Sequence, residues 1–365
     1  AQSQAASTVS VYVDDDHTQV VTSVTRAKVT LWEGGTLNVA YLIDVISSAS
    51  VDVVSQATPR FDENRHAVQA GASQAVGPHT VRASYGYSVE IGTGTRSANG
   101  AGKQADSQGD TSTHIGDYEG HGAGVGADAV FFGRNTTVSA DYAIELGDVG
   151  RADDANFHES LTTHVVDLRV AQVLTRRLVG LVGWTFTGQQ GYTAKPYRFA
   201  RVQEVLPGVC RVCPPETHPR SRLRNAVFAG ATQHLFGESA VGLRYRFYFD
   251  DWGLTAHTVE AQLHLGWTPA FGMRFRYRLH VQGAASFWQD IYAQPMRYMT
   301  ADRELSPLTG NLLGLLVFWH VDGWGALAAV ELYAKVDAFR YDYQDYSALT
   351  ARMGLVGETG MEVTF

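Results

Sequence analysis

Long hydrophobic runs and an excess of basic residues are both missing from this sequence of 365 residues. The longest apolar run, residues 312–319, is far shorter than the roughly 20 residues of a membrane-spanning helix. Lysine and arginine together number 29, against 37 aspartates and glutamates, so the balance argues against a concentrated basic face. Helical periodicity is also nearly absent. The sequence therefore excludes a spanning helix and disfavours nucleic acid as a partner.

What the sequence does contain is alternation with a period of two residues, which is typical of strands between two different environments. Residues 239–250 are the clearest case, because Val241, Leu243 and Tyr245 alternate with Arg244 and Arg246. The same alternation occurs in residues 36–47, 79–91, 256–268, 272–288 and 325–341. We therefore expect the chain to be built almost entirely from strands.

The end of the chain bears on where the apolar faces point. It alternates up to Phe365, and this ending resembles the C-terminal signature of bacterial outer-membrane β-barrels. In a soluble sandwich the apolar face would be the core, whereas in a membrane barrel it faces lipid and the polar face lines the lumen. One strand does not distinguish a soluble sandwich from a membrane barrel. The connections between strands distinguish them.

Tight and long connections alternate along the chain, as they do in barrels with short periplasmic turns and longer outer loops. The final strand must run toward the periplasm, so an upward strand is needed before residues 18–32. Residues 9–13 provide it and turn at residues 14–17. We predict an all-β fold, a transmembrane antiparallel up-and-down β-barrel of about 16 strands, with short periplasmic turns and long outer loops. It would form a single domain over residues 1–365.

Aromatic residues fall at both ends of the predicted strands. Those beside the tight turns are Trp32, Trp267, Trp319, Trp324 and Phe365, and those near the long loops are Tyr87, Trp252 and Trp288. Such a distribution predicts two interfacial girdles. The alternative is that aromatic residues simply favour strands.

Several segments resemble an uncharacterised family of bacterial outer-membrane proteins, domain of unknown function 3570. They are residues 12–16, 41–50 with 61–63, 188–198 and 243–260, and they spread over most of the chain. The resemblance implies a β-barrel and no established activity. Members of that family are encoded beside a small lipoprotein, a thioredoxin-like protein and a flavin-attaching enzyme. The resemblance therefore implies a partner, either a small lipoprotein or a periplasmic or extracellular redox protein. The process it implies is redox chemistry or metal transport outside the cytoplasm.

The polar faces of the predicted strands are the first candidate site. We expect the lumen to be lined by Arg244, Arg246, Glu260, His264, Arg274, Arg276, Arg278, His280, Glu331 and Asp337. A cationic wall that faces acidic walls would produce a transverse field and select charged solutes. The alternative is a lumen closed by internal ion pairs or filled by a loop, for which the glycine-rich stretch in residues 92–119 is a candidate.

Histidines in the long loops are a second candidate. His114, Asp117, His121 and His158 combine imidazole with carboxylate, a donor set that suits zinc or copper. Their spacing matches no recognised ligand motif, and loops are polar by default, so a solvated loop is the preferred interpretation.

The two cysteines, Cys210 and Cys213, lie in a predicted loop with four prolines. Exported proteins usually keep cysteines as disulfides. A redox CxxC pair needs a helix N-terminus, and Pro214 and Pro215 leave little room for one. We expect a disulfide between Cys210 and Cys213, with half of a metal site as the alternative.

Signals for catalysis are weak. No GxSxG motif is present, and residues 92–103 fail as a phosphate loop because no Ser or Thr follows Lys103. We expect no enzymatic activity and no cofactor.

The predicted function is a porin-like channel or export conduit in the outer membrane of a Gram-negative bacterium, surrounded by outer-membrane lipids. The first residues lack a basic and apolar leader, as expected after removal of a signal peptide. A barrel scaffold that holds a lipoprotein or a redox partner is the alternative function.

Overall fold

A closed antiparallel barrel of sixteen strands forms the structure, a computed structural model that describes residues 3–48, 61–92, 118–151, 154, 156–206, 209–323 and 327–365. The strands are β1 (Gln4–Asp14), β2 (Thr18–Trp32), β3 (Gly35–Ser48), β4 (Phe61–Val76), β5 (His79–Gly92), β6 (Tyr118–Phe131), β7 (Thr136–Val149), β8 (Glu159–Thr175), β9 (Leu178–Gly191), β10 (Val202–Leu206), β11 (Val209–Val212), β12 (Ser221–His234), β13 (Ala240–Asp250), β14 (Thr255–Thr268), β15 (Phe271–Gln282), β16 (Leu308–Asp322), β17 (Ala329–Tyr343) and β18 (Ala351–Thr364). This architecture confirms the predicted barrel and its strand number.

Successive strands pair in an up-and-down order, and the barrel closes where Gln4 of β1 pairs with Thr364 of β18. Strands β10 and β11 are the exception. They pair only with each other, so β9 takes β12 as its neighbour in the wall. The sequence did not predict this extra hairpin, which lies inside the connection predicted as one long loop at residues 190–221.

The polarity of the wall is inverted relative to a soluble protein. Large apolar side chains are exposed on its outer face, with Leu243 and Val125 each 59% exposed and Leu313 65% exposed. Asp337, on the inner face, is only 4% exposed. This inversion belongs to a barrel whose outer face contacts lipid.

The two ends of the barrel differ. At the short-turn end, β2–β3, β4–β5 and the other hairpins are joined by tight turns, and Gly34 and Gly77 take the positive φ angles of 73° and 61° that such turns require. The long-loop end carries the longer connections, although residues 15–17 join β1 to β2 by a tight turn there, as predicted. Trp324 and the glycine-rich residues 93–117 lie outside the described residues.

Two clusters of buried apolar residues lie at the long-loop end, in addition to single buried residues of the wall such as Ala226 and Val330. One cluster contains Ala200, Val202, Tyr292 and Met299, and a second contains Trp252, Leu254, Ala256, Ala285 and Leu305. Most belong to two inter-strand connections, the second of which contains a short 3-10 helix at Arg303–Leu305. Among the described residues, the structure has no helix long and apolar enough to cross a membrane.

Candidate functional site: the lumen and its cap

Arginines of β13 and β15 line the lumen, with β14 between them. Register places Arg244 opposite Glu260, and Glu260 opposite Arg278. Arg246 lies opposite Thr258, which in turn lies opposite His280. All of these alternate with the outward residues of the same strands. We call this set the cationic wall: Arg244, Arg246, Glu260, His264, Arg274, Arg276, Arg278 and His280.

Four of these arginines have no carboxylate within 4.0 Å among the described residues: Arg244, Arg246, Arg274 and Arg278. Glu260, which lies between two of them in register, accepts a hydrogen bond from Gln262 Nε2 at 2.7 Å. Close cationic groups of this kind require water or mobile counter-ions nearby. The cationic wall is therefore suited to attract small anions into the lumen.

Arg276 is the exception within the cationic wall, because its Nη2 donates to Asp337 Oδ2 at 2.7 Å. Asp337 lies two strands away, on β17, and not on the far side of the lumen as the sequence suggested. Register places Gly314 of β16 between them. A Cβ at Gly314 would lie 2.2 Å from Asp337 Oδ1, so this glycine leaves the path open for the ion pair.

The same arrangement recurs on the opposite side of the barrel. Arg82 on β5 donates to Asp141 on β7 at 2.6 Å, with Gly126 of β6 between them in register. A Cβ at Gly126 would lie 2.0 Å from Asp141 Oδ1. Arg82 also pairs with Asp128 at 2.6 Å. On this side the cations are neutralised by neighbouring carboxylates, in contrast to the cationic wall.

On β16 both faces are apolar, so this strand shows no alternation. Leu312, Leu316 and Phe318 lie on the lumen side, opposite Arg278, Arg274 and Gly272. His264, the predicted lumen residue of β14, stacks on Phe318 with ring centroids 5.3 Å apart. Glu331 lies near the short-turn end of β17, opposite His320 and Glu362.

Open space remains in the lumen. A cavity of about 730 Å³ lies along the wall from β1 to β7, and it is lined by Arg26, Lys28, Arg82, Asp128, Asp141 and Glu362 together with small residues such as Ala6, Gly71 and Ser84. Small inward side chains are what keep this volume unfilled. A barrel of about 16 strands is too wide for side chains alone to fill.

Two long connections pack together over the long-loop end, and we call residues 192–220 and 283–307 the cap. Isolated bridges join them, with Val202 pairing with Tyr292 and Thr217 with Met299. Tyr292 is fully buried, and its hydroxyl donates to Phe287 O at 2.5 Å and accepts from Thr300 N at 2.8 Å. Such packing gives the cap a core of its own.

Charged residues also hold the two halves of the cap together. Asp302, 3% exposed, pairs with Arg198 at 2.8 Å and with Lys195 at 3.1 Å. Burial opposes ionisation of Asp302, but the attraction of Arg198 and Lys195 outweighs it and holds the pKa of this carboxyl well below its ordinary value.

The cap is anchored to strands far from its own attachment points. Arg201, from the connection between β9 and β12, donates to Ser347 Oγ at 3.2 Å, in the connection between β17 and β18. Five strand spacings separate β12 from β17, or about 24 Å of wall. Arg303 pairs with Asp16 in the turn between β1 and β2, and both side chains are buried. The cap thus spans the mouth above the cationic wall.

A second cavity, of about 280 Å³, lies between the cap and the wall. Its lining includes Glu304 of the cap and Arg278, His280, Tyr341 and Arg352 of the wall. Gln282 Nε2 donates to Glu304 O and Ser306 O at 2.8 and 2.9 Å, which fixes the cap directly above this cavity. The sequence missed the cap because its contacts join distant segments without any regular period.

The predicted disulfide and metal residues lie in different places. Cys213 is disulfide-bonded, and Cys210, in β11, is the only other cysteine of the chain. His121 is on the outer face of β6, where its Nδ1 lies 2.7 Å from the Tyr85 hydroxyl. His158 precedes β8, while His114 and Asp117 lie outside the described residues. The metal site therefore stays a prediction.

Residues 48–362 match the family described as protein of unknown function (DUF3570). The chain belongs to that family. Membership confirms the resemblance drawn from the sequence segments and brings no activity with it. No curated protein matches the chain.

Solved structures of outer-membrane barrels share the fold. The chain is similar to a bacterial polysaccharide outer membrane secretin, with a TM-score of 0.53 and 10% identity over 100% of this chain and 98% of that one. It is also similar to CdiB from Acinetobacter baumannii, with a TM-score of 0.51 and 10% identity over 100% of this chain and 60% of that one. At such low identity the likeness establishes the fold and nothing about the solute.

Proposed function

We propose that this member of the DUF3570 family is a conduit in the bacterial outer membrane that passes small charged solutes, with anions drawn in by the cationic wall. The observation that carries the proposal is the set of four lumen arginines without a carboxylate partner among the described residues. A barrel needed only as a rigid body would gain from neutralising those charges, as the opposite wall does through Arg82.

The two cavities support the same proposal. Both are lined by charged residues of the inner face, and the smaller one lies between the cationic wall and the cap. A solute that enters on the side of the cap would meet Arg278 and Arg352 first. Movement of the cap would then control access, because the cap lies over the smaller cavity and contacts the rim through pairs such as Arg303–Asp16.

A second candidate function is a scaffold that holds a lipoprotein or a redox partner outside the cell. One observation favours it: the cap has a packed core, yet it exposes Tyr197, Ile291 and Met296, of which Met296 is 49% exposed. A rigid surface with exposed apolar side chains is suited to bind a protein. In that case the cap would be the functional surface and the lumen would carry no traffic.

Release of solutes from vesicles distinguishes the two functions. Full-length protein would be reconstituted into vesicles of neutral lipid that contain a small anionic or a small cationic dye of similar size. A conduit with a cationic wall releases both dyes, and the anionic dye faster. Absence of release from protein whose folding is verified by heat-dependent gel migration would contradict the conduit and favour the scaffold.

A further inference from the structure

A repeated polar pair lies on the outer face of the barrel, where lipid is the solvent. In each instance a tyrosine or a tryptophan on an ascending strand contacts a histidine or an asparagine on the next descending strand. We call the set the polar belt: Tyr41–His66, Tyr85–His121, Tyr142–His164, Trp184–Asn225, Tyr245–His257 and Tyr277–Asn311. The distances between the paired atoms are 2.9, 2.7, 2.9, 3.2, 2.7 and 2.8 Å.

The geometry of the polar belt is the same in all six hairpins. Each acceptor lies opposite the residue two positions beyond the donor, as His66 lies opposite Ile43 and Asn311 opposite Leu279. Each donor is five or six residues beyond the first residue of its strand, as Tyr41 is in Gly35–Ser48 and Tyr245 is in Ala240–Asp250. A coincidence of local sequence would not repeat both the register and the height.

The acceptors mark the boundary of the apolar band. Two residues toward the short-turn end, the outward residue of each descending strand is apolar: Val68, Ala123, Val166, Val227, Val259 and Leu313. Two residues toward the long-loop end, five of the six are polar: Asn64, Glu119, Thr162, Thr255 and Thr309. The sixth is Leu223. The belt therefore lies where hydrocarbon gives way to headgroups.

A second set of amides gives the height of the band. Gln74, Gln172 and Gln233 each lie eight residues after a belt acceptor on the same outward face, and each donates to the next residue's carbonyl oxygen. Eight strand residues tilted by about 40° rise about 20 Å along the membrane normal. This is close to the apolar band of about 25 Å typical of such barrels.

A histidine that accepts on Nδ1 leaves its second ring nitrogen available, whereas an asparagine that accepts on Oδ1 leaves its amide NH2 available. When the tyrosine hydroxyl donates to Nδ1, the neutral imidazole carries its proton on Nε2. For His66, His164 and His257, no described residue bonds that nitrogen, and His121 Nε2 lies 3.8 Å from Glu119. An N–H donor at this height needs an acceptor, because water is scarce below the headgroups.

We propose that the four belt histidines bind the phosphate groups of lipids in the leaflet on the long-loop side. Phosphate oxygens are the strong acceptors available at that depth, and a charged acceptor shortens and strengthens the bond. The tyrosine in each pair fixes the tautomer and the ring orientation, so the donor is held outward before a lipid arrives. This surface is independent of the lumen and of the proposed conduit.

Phenylalanine supplies the test variant, because it keeps an aromatic ring and has no hydrogen-bonding atom. His→Phe at residues 66, 121, 164 and 257 removes the Nε2 donor. The matched control is His234→Phe with His320→Phe, because these histidines lie by the short turns, where Nε2 of His234 contacts Gly237 O and Nε2 of His320 contacts Asp322. Native mass spectrometry would count phosphatidylglycerol, or neutral diacylglycerol as a lipid without phosphate, retained in titrations of the full-length protein.

We expect the four-site variant to bind phosphatidylglycerol more weakly, by about fivefold per site, while the control matches the wild type. Diacylglycerol retention should be the same in all three proteins. Equal phosphatidylglycerol retention in the variant and the wild type would overturn the proposal, as would equal loss of both lipids. Should the four-site variant not fold, His257→Phe alone must show the same selective loss at one site.

Discussion

Arg276 and Asp337 form an ion pair across an intervening strand, with 2.7 Å between Nη2 and Oδ2. Gly314 lies between them in the sheet, where any Cβ would collide with the carboxylate. The pair joins the cationic wall to β17, where Lys335 also contacts Asp337 at 3.4 Å. Gly314 is in a strand, where neither a turn nor a positive φ requires glycine. Its structural role is to leave space for this ion pair.

Gly314→Ala should destabilise the barrel by about 1–3 kcal/mol, because the displaced carboxylate leaves Arg276 without its partner. Gly357→Ala is the matched control, since a Cβ there would meet no atom within 4 Å. Replacing a glycine by alanine inside a strand is by itself neutral or favourable for stability. Urea unfolding in detergent would measure both changes. Equal stability of the two variants would show that the ion pair does not depend on Gly314.

Arginine on the outer face should be costly in the middle of the apolar band. Leu263, Phe275 and Val336 are 36%, 44% and 45% exposed on that face. Arg at any of these positions should destabilise the barrel by about 2–4 kcal/mol in lipid, because the charge must lie in hydrocarbon. Refolding titrations into vesicles give this value. Tolerance of all three replacements would contradict the assignment of the lipid face.

Asp16→Asn should loosen the cap, because it removes the charge that pairs with the buried Arg303. Breaking a buried pair in this way costs about 3–5 kcal/mol. Hydrogen exchange of residues 283–307 should therefore become faster while the strands keep their protection. The control is Glu159→Gln, which breaks a pair with Arg220, a side chain that is 64% exposed. An exposed pair contributes at most about 1 kcal/mol.

Acid should release the cap through Asp302. The folded-state pKa of this carboxyl lies below its ordinary value of about 3.8, so its contribution to stability is complete above that pH. The contribution is lost as the pH falls through the lower folded value. Pepsin cleavage within residues 283–307, normalised to an unfolded substrate, should rise from pH 4 to pH 2. In Asp302→Asn it should already be high at pH 4. No difference between the two proteins would remove Asp302 from this role.

The barrel could be predicted because each wall residue faces one of two solvents. Leu243, Tyr245, Arg244 and Arg246 show that choice directly in the sequence. The strand count needed one further inference, that residues before 18–32 form an upward strand, and β1 confirms it. Local alternation was sufficient for both conclusions.

The cap and the pairing of charges could not be read in the same way. The contacts of Arg201 with Ser347 and of Arg303 with Asp16 join segments that no period relates. The sequence placed the partners of the arginines across the lumen, whereas the structure places the partner of Arg276 two strands away. The register of neighbouring strands decides which charged side chains pair. Because β16 is apolar on both faces, its sequence does not show which charged residues lie on the strands beside it.

The polar belt could be predicted only in part. Its tyrosines and histidines, such as Tyr142 and His164, interrupt otherwise apolar outward faces, and this signal is present in the sequence. Their pairing still requires knowledge of which strands are adjacent and in which register. Among the belt histidines, His121 was predicted as a metal ligand, because the sequence does not show that Tyr85 of the neighbouring strand contacts it.

The central claim is that charged solutes pass the cationic wall, and the ion selectivity of single barrels in a planar bilayer tests it most directly. Arg244, Arg274 and Arg278 would be replaced by Gln, with Arg340→Gln as the control, because Arg340 bonds Asp342 and is exposed outside the lumen. The account predicts that the wild type conducts and that the control has the same selectivity as the wild type. In the triple variant the reversal potential should show a selectivity shifted toward cations. Conductance with the same selectivity in all three proteins, or none in any, would contradict it.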